Sequence, residues 1–189
     1  MDGLLFFILM AVLGVITAYS YCYGISPTPT SPKVQRELLL LLPELKNQEI
    51  AELGSGWGTL AFALARHFPT CHVHAYEVSP FPYLVSTIFS KCFLLRNVSI
   101  KRHDFFQVSL KNISLVVCYL YPEAMQQLKI KLEKELSPEA YILSHTFAIP
   151  GWIPVDFARA SDLYKTPIYL YTHPSARMGE VLDKHKFNA

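Results

Sequence analysis

The chain of 189 residues is 51% apolar and carries a net charge of only +2. That is apolar material enough for a substantial core, too much for intrinsic disorder, and a charge balance that makes no case for a nucleic-acid surface. Its four cysteines, Cys22, Cys71, Cys92 and Cys118, form no C-x-x-C pair and have no histidine at ligand spacing, which argues against a zinc site and a disulfide scaffold and for a reducing compartment.

Residues 1–32 contain Asp2 and no Lys or Arg, whereas all 17 basic and the other 14 acidic residues follow. From Gly3 to Tyr23, "GLLFFILMAVLGVITAYSYCY", 21 uncharged residues run together; as a helix they would extend about 31 Å, enough for a hydrocarbon core. The expectation is a retained transmembrane anchor over 1–24, since a cleaved leader would want a basic flank and a small-residue cleavage site before Cys22. Tyr19, Tyr21 and Tyr23 suit an interface, and Lys33 and Arg36 after the span, against Asp2 before it, put the bulk of the chain on the cytoplasmic or matrix side of a single-pass membrane protein.

The Pro/Ser/Thr-rich "GISPTPTSPK" reads as an extended linker or lid over 25–33, and 34–189 as one domain. "VQRELLLLLPEL" predicts a helix stopped near Pro43. Strands and helices then alternate: a strand at 48–53, a helix from Thr59 to Phe68, a strand at 71–78, a helix from Phe81 to Lys91, and a strand at 98–104. The β-branched run "ISLVVCYL" (113–120) predicts a central strand, and Met125, Leu128, Leu132 and Leu136 form one stripe of a helix from Glu123 to Leu136. "AYILSHTF" (140–147) is a fifth strand, and the stretches around Lys165 and Thr166 predict a terminal hairpin. Together these predict a doubly wound α/β fold: a mostly parallel seven-strand sheet with a C-terminal antiparallel hairpin.

Three glycines, Gly54, Gly56 and Gly58, fall within five positions of the first strand-to-helix turn, where open α/β sheets bind ligands. A dinucleotide fingerprint would need glycine at position 59, which is threonine, and a Walker loop would need a lysine, of which there is none from Gly54 to Arg66. What stands there is E-x-G-x-G-x-G, beginning at Glu52. Glu77 closes the second strand and Asp104 the third, with Phe105 and Phe106 after it.

These spaced elements resemble the seven-strand S-adenosylmethionine (SAM) methyltransferases across about residues 26–174. The resemblance implies that Glu52, Gly54, Ser55, Gly56 and Gly58 surround the cofactor's amino-acid end. It also implies that Glu77 accepts hydrogen bonds from the ribose hydroxyls, and that Asp104 and Phe105 attend the adenine. The residue types suit the chemistry, because carboxylates favour a sulfonium cation and would repel a pyrophosphate. "SPTPTSPKVQRELL", "LVVCYLYPEAMQQLKIKLEKEL" and "LSHTFAIPGWIPV" look more closely like the small membrane-associated protein-lysine methyltransferases related to the mitochondrial enzyme acting on the c-ring protein of ATP synthase. That likeness implies a lysine of a membrane-associated protein as methyl acceptor, Thr28 with Pro27 and Pro29 in an element closing over the cofactor, and Tyr119, Tyr121 and Pro122 in the catalytic loop after strand four.

Aromatic rings at the carboxyl ends of strands four and five, with His145 beside them, can hold a lysine ammonium and exclude water. Trp57 reads as a shield for the turn. His72 and His74 share a strand face but have no third ligand, so they read as structural and no metal is expected. The rival expectations are a methyltransferase acting on a lipid or quinone, and a SAM-binding protein that transfers nothing.

Overall fold

In a computed structural model of the chain, the described residues are 28–176 together with Gly3, Phe6, Phe7, Met10 and Gly14. In chain order the elements are α1 (Pro32–Leu41), β1 (Glu49–Leu53), α2 (Thr59–His67), β2 (His72–Tyr76), α3 (Pro80–Cys92), β3 (Val98–Lys101), a 3-10 turn (Phe105–Gln107), β4 (Leu115–Cys118), α4 (Pro122–Glu135), β5 (Tyr141–His145), β6 (Asp156–Arg159) and β7 (Pro167–Thr172). Local chemistry sets the boundaries. Ser31 caps α1 by accepting a hydrogen bond from the Val34 N–H, with Pro32 at the first turn, so the helix begins inside the segment expected to be extended. It stops because Leu42, which precedes Pro43, is extended.

The seven strands lie in the order β3-β2-β1-β4-β5-β7-β6, with β1 to β5 parallel and β7 antiparallel to both its neighbours. Strand alternation divides the core. Ile50, Leu115, Val117 and Leu143 face a cluster with α1 and α2, whereas Ala51, Val116, Cys118 and Ile142 face one built on α4. The expected stripe supplies that second layer: Met125, Leu128 and Leu132 are buried from α4 and Leu136 just beyond it. All four residues of β4 are buried, as a strand covered on both faces requires. The chain runs outward through β2 and β3 and returns to lay β4 against β1, so the order reverses between β1 and β4.

Two expectations are corrected. Among the described residues no helix is long and apolar enough to cross a membrane, so the N-terminal transmembrane helix, and the membrane attachment expected through it, are not supported. A span needs about 20 consecutive apolar helical residues, and of 1–24 only Gly3, Phe6, Phe7, Met10 and Gly14 lie within the described residues. Strand β3 ends at Lys101, whose carbonyl accepts from the Glu77 N–H. Asp104 therefore sits past the ladder, where its carboxylate caps the 3-10 turn by accepting from the Phe106 N–H at 2.9 Å.

Candidate active site

At the carboxyl end of β1 the chain makes a turn open chiefly to glycine. Gly54, Gly56 and Gly58 have φ of 75°, 52° and 76°, a left-handed region that costs other residues roughly 1–2 kcal/mol each. A side chain at Gly54 would press to 3.1 Å of Leu120, and one at Gly58 to 2.8 Å of Phe62 and 3.0 Å of Ser86. The turn is stitched to the end of β2: the N–H groups of Gly54 and Ser55 both donate to the Tyr76 carbonyl at 2.9 Å. Glu77 fixes its tip, one carboxylate oxygen accepting from the Gly56 N–H and the other from the Ser79 N–H, each at 2.7 Å. The Gly58 N–H then donates to the Ser55 carbonyl, and α2 starts.

Above this turn opens a cavity of about 300 Å³. It brings together Thr28, Glu52, Gly54, Ser55 and Gly56 with Glu77, Asp104, Phe105, Tyr119 and Tyr121. Gly58 and Pro122 are not on its wall: Gly58 caps α2 and Pro122 opens α4. The wall also includes residues that the sequence pattern does not single out, Val78, Ser79, Phe81 and Pro82 at the start of α3 and Leu120 after β4. Trp57 belongs to it too, its ring edge-on to Phe81 at 5.8 Å. The signal for the α3 group is its place directly after Glu77.

Glu52 is the electrostatic centre. Its carboxyl is buried beneath the turn and is pushed up to about 8, first by burial and also by the charge of Glu77, while a hydrogen bond from the Ala61 backbone in the first turn of α2 works the other way. Glu52 Oε2 and Ser55 Oγ are both buried without a hydrogen-bond partner, an expensive arrangement unless a ligand completes it. Cys118, at the cavity floor, is held as a thiol, burial pushing it up to about 12. Behind Tyr119, and outside the cavity wall, His145 stacks on its ring at 4.5 Å and is kept neutral by burial, down to about 4.

The paired histidines of β2 are spent on the sheet. His72 Nε2 meets Ser99 Oγ at 2.7 Å, and His74 bridges Glu49 of β1 and Lys101 of β3. Among the described residues no three His, Cys, Asp or Glu side chains gather as a metal site.

The family described as the ANTKMT methyltransferase domain matches residues 52–156, more than half of the chain. The chain belongs to this family. A protein-lysine N-methyltransferase of Saccharolobus islandicus is 28% identical over 155 residues, covering 80% of this chain and 96% of that protein. A human lysine N-methyltransferase, named for the c-ring protein of ATP synthase, is 26% identical over 161 residues, covering 82% and 67% respectively. Among solved structures, an RNA methyltransferase from Salinibacter ruber in complex with S-adenosyl-L-homocysteine aligns with a TM-score of 0.70 and 26% identity, over 78% of this chain and 94% of that one. This ANTKMT-family chain is thus a SAM-dependent methyltransferase. The matched region begins at Glu52 and takes in every residue of the cavity wall except Thr28, Pro29 and Thr30.

The residues present fit SAM. The unpartnered Glu52 Oε2 suits the cofactor's cationic end, the Ser55 hydroxyl adds a free polar group, and the glycine turn leaves the main chain bare for close approach. Asp104 and Phe105 lie farther along the same wall.

Proposed function

We propose that this methyltransferase modifies the ε-amine of lysine in a protein acceptor. The observation that carries the reading is the composition of the cavity: a carboxylate side formed by Glu52, Glu77 and Asp104, and a ring side formed by Tyr119 and Tyr121 at the end of β4. Bound SAM supplies a methyl group on a sulfonium cation. The tyrosine rings offer faces to an incoming lysine ammonium. Enclosure by Leu120, Phe81 and Trp57 favours the neutral amine, because burial disfavours the charged form of a group whose ordinary pKa is about 10.4. His145, neutral and flat against Tyr119, holds that ring in place. Most of the rate then comes from orientation and exclusion of water. The names of the archaeal and human relatives, both lysine methyltransferases, support the same acceptor.

The test is incubation of the full chain with methyl-labelled SAM and fractionated cell extract, followed by mass spectrometry. Label on lysine ε-amines of protein is the expected result. The Salinibacter neighbour's name makes RNA the acceptor to set against it. Label confined to RNA, or to lipid and quinone extracts, overturns the lysine reading, and SAM binding without turnover on any fraction overturns transfer itself.

A further inference from the structure

Helix α3 covers the sheet poorly and leaves its apolar residues outside. Only Pro82 and Ser86 are buried from it. Leu84, Ile88 and Phe89, with Phe93 and Leu94 just past its end, are exposed, from 45% at Phe89 to 83% at Leu94. Leu84 and Ile88 are four apart, as are Phe89 and Phe93, whose rings stack at 5.9 Å, so these side chains form one continuous stripe. Exposed leucines scattered singly are ordinary, but a stripe of five on one helix marks an interaction surface.

The charges around the stripe are of one sign. Between Glu77 and Asp104 there is no acidic residue, but there are Lys91, Arg96, Lys101 and Arg102. Helix α2 alongside has no acid either, and its Arg66 guanidinium lies 5.0 Å from the centre of the Phe93 ring. An apolar stripe rimmed by cations is the pattern of a helix lying in a lipid headgroup layer. A second copy of the chain fits worse, since stacking two such faces would bring their cations together with no carboxylate from either segment to separate them. The stripe also leads to the site: Val78, Phe81 and Pro82, at the start of α3, line the cavity.

We propose that the exposed face of α3, with Lys91, Arg96 and Arg66 at its rim, seats on the surface of an anionic lipid bilayer and brings the cavity mouth to it, so that the acceptor lysine is one held at the lipid surface. This is contact by a face and involves no spanning helix. The statement about the acceptor rests on the lysine reading above; the docking does not.

Cys92 on this face is exposed while Cys71 and Cys118 are buried, which makes the test direct. In the full chain carrying Cys22→Ser, an environment-sensitive fluorophore on Cys92 is expected to shift to the blue, and to be quenched by brominated lipid, on vesicles of phosphatidylcholine with phosphatidylserine, and much less on phosphatidylcholine alone. Lys91→Gln with Arg96→Gln should weaken binding roughly thirty-fold, about fivefold per cation. Leu84→Glu with Ile88→Glu, both at exposed positions, should abolish the shift. A probe that stays in water on bound vesicles overturns the proposal. So does one already shielded without lipid, which would place residues 1–27 or a second copy on the face. Methylation of a water-soluble lysine substrate should be unchanged in Lys91→Gln. If the wild type fails on every lysine while the probe still reports docking, the lysine reading falls and the lipid face stands.

Discussion

The two ends of β1, β2 and β3 are finished in opposite ways. At the amino ends, Asn97 places its side-chain N–H groups among the carbonyls of Ala65, Phe68 and Cys71 at 2.8, 3.2 and 3.1 Å, and the N–H groups of His72 and Val73 donate to Gln48 and Asn97. At the carboxyl ends stand three left-handed glycines, a buried carboxyl with one unpartnered oxygen and a buried hydroxyl with none. The same strands therefore carry a saturated end that holds the fold and an unsaturated end that awaits a ligand. Such division is expected where a site must bind without first breaking its own hydrogen bonds.

Substitutions separate the two ends, and the largest effect belongs to the glycine that joins them. Gly58→Val would force a branched side chain into a left-handed conformation against Phe62 and Ser86. Backbone strain and overpacking together cost about 2–5 kcal/mol, and thermal denaturation should show the midpoint falling by roughly 5–15 °C, with cofactor binding lost alongside. Unchanged stability would mean that the turn is not a junction.

Glu52→Gln should do the reverse to the empty protein. Folding lifts this carboxyl from 4.5 to about 8, so between those values the folded state holds more protons than the unfolded one. Its contribution to stability is fully present below about pH 4.5 and is lost as pH rises through about 8. The cofactor-free wild type should thus melt progressively lower over that range, and Glu52→Gln should flatten the slope and melt several degrees higher at pH 8. The same variant should bind SAM more weakly in calorimetry and release no proton on binding. A variant that destabilises at every pH would contradict the picture of an end built for a ligand.

Glu77→Ala removes the carboxylate that fixes Gly56 and Ser79. Hydrogen bonds to charged groups contribute about 1.5–3 kcal/mol, so SAM affinity should drop roughly tenfold to a hundredfold in titration calorimetry.

Much of this was legible in the sequence for physical reasons. Alternating helix and strand periods, each closed by Pro or Gly, set the order of elements, and the glycine spacing with Glu52 and Glu77 pointed to the turn and its acids. Other features were hidden because they depend on what faces what. Asp104 looked like a strand end, but its carboxylate prefers its own backbone and caps a turn. Trp57 and Phe81, far apart in character along the chain, meet edge-on across the cavity. The apolar positions of α3 have a helix's period, which says that a stripe exists and not whether the sheet or something else covers it. The N-terminal apolar run met a length rule that counts composition alone, and no described helix meets it.

Asn97 was also invisible, since an asparagine before a strand reads as an ordinary turn residue. In the fold it joins the end of α2 to the starts of β2 and β3, on the side of the sheet away from the cavity. Asn97→Ala would leave carbonyls there without their donor, at a cost of about 1–3 kcal/mol, read as a fall of several degrees in the thermal midpoint. Well below that midpoint, SAM affinity and the rate of methyl transfer should match the wild type, because nothing on the cavity wall has moved. If affinity falls in step with stability, the strands transmit what happens at one end to the other, and the division between the two ends fails where it is simplest to measure.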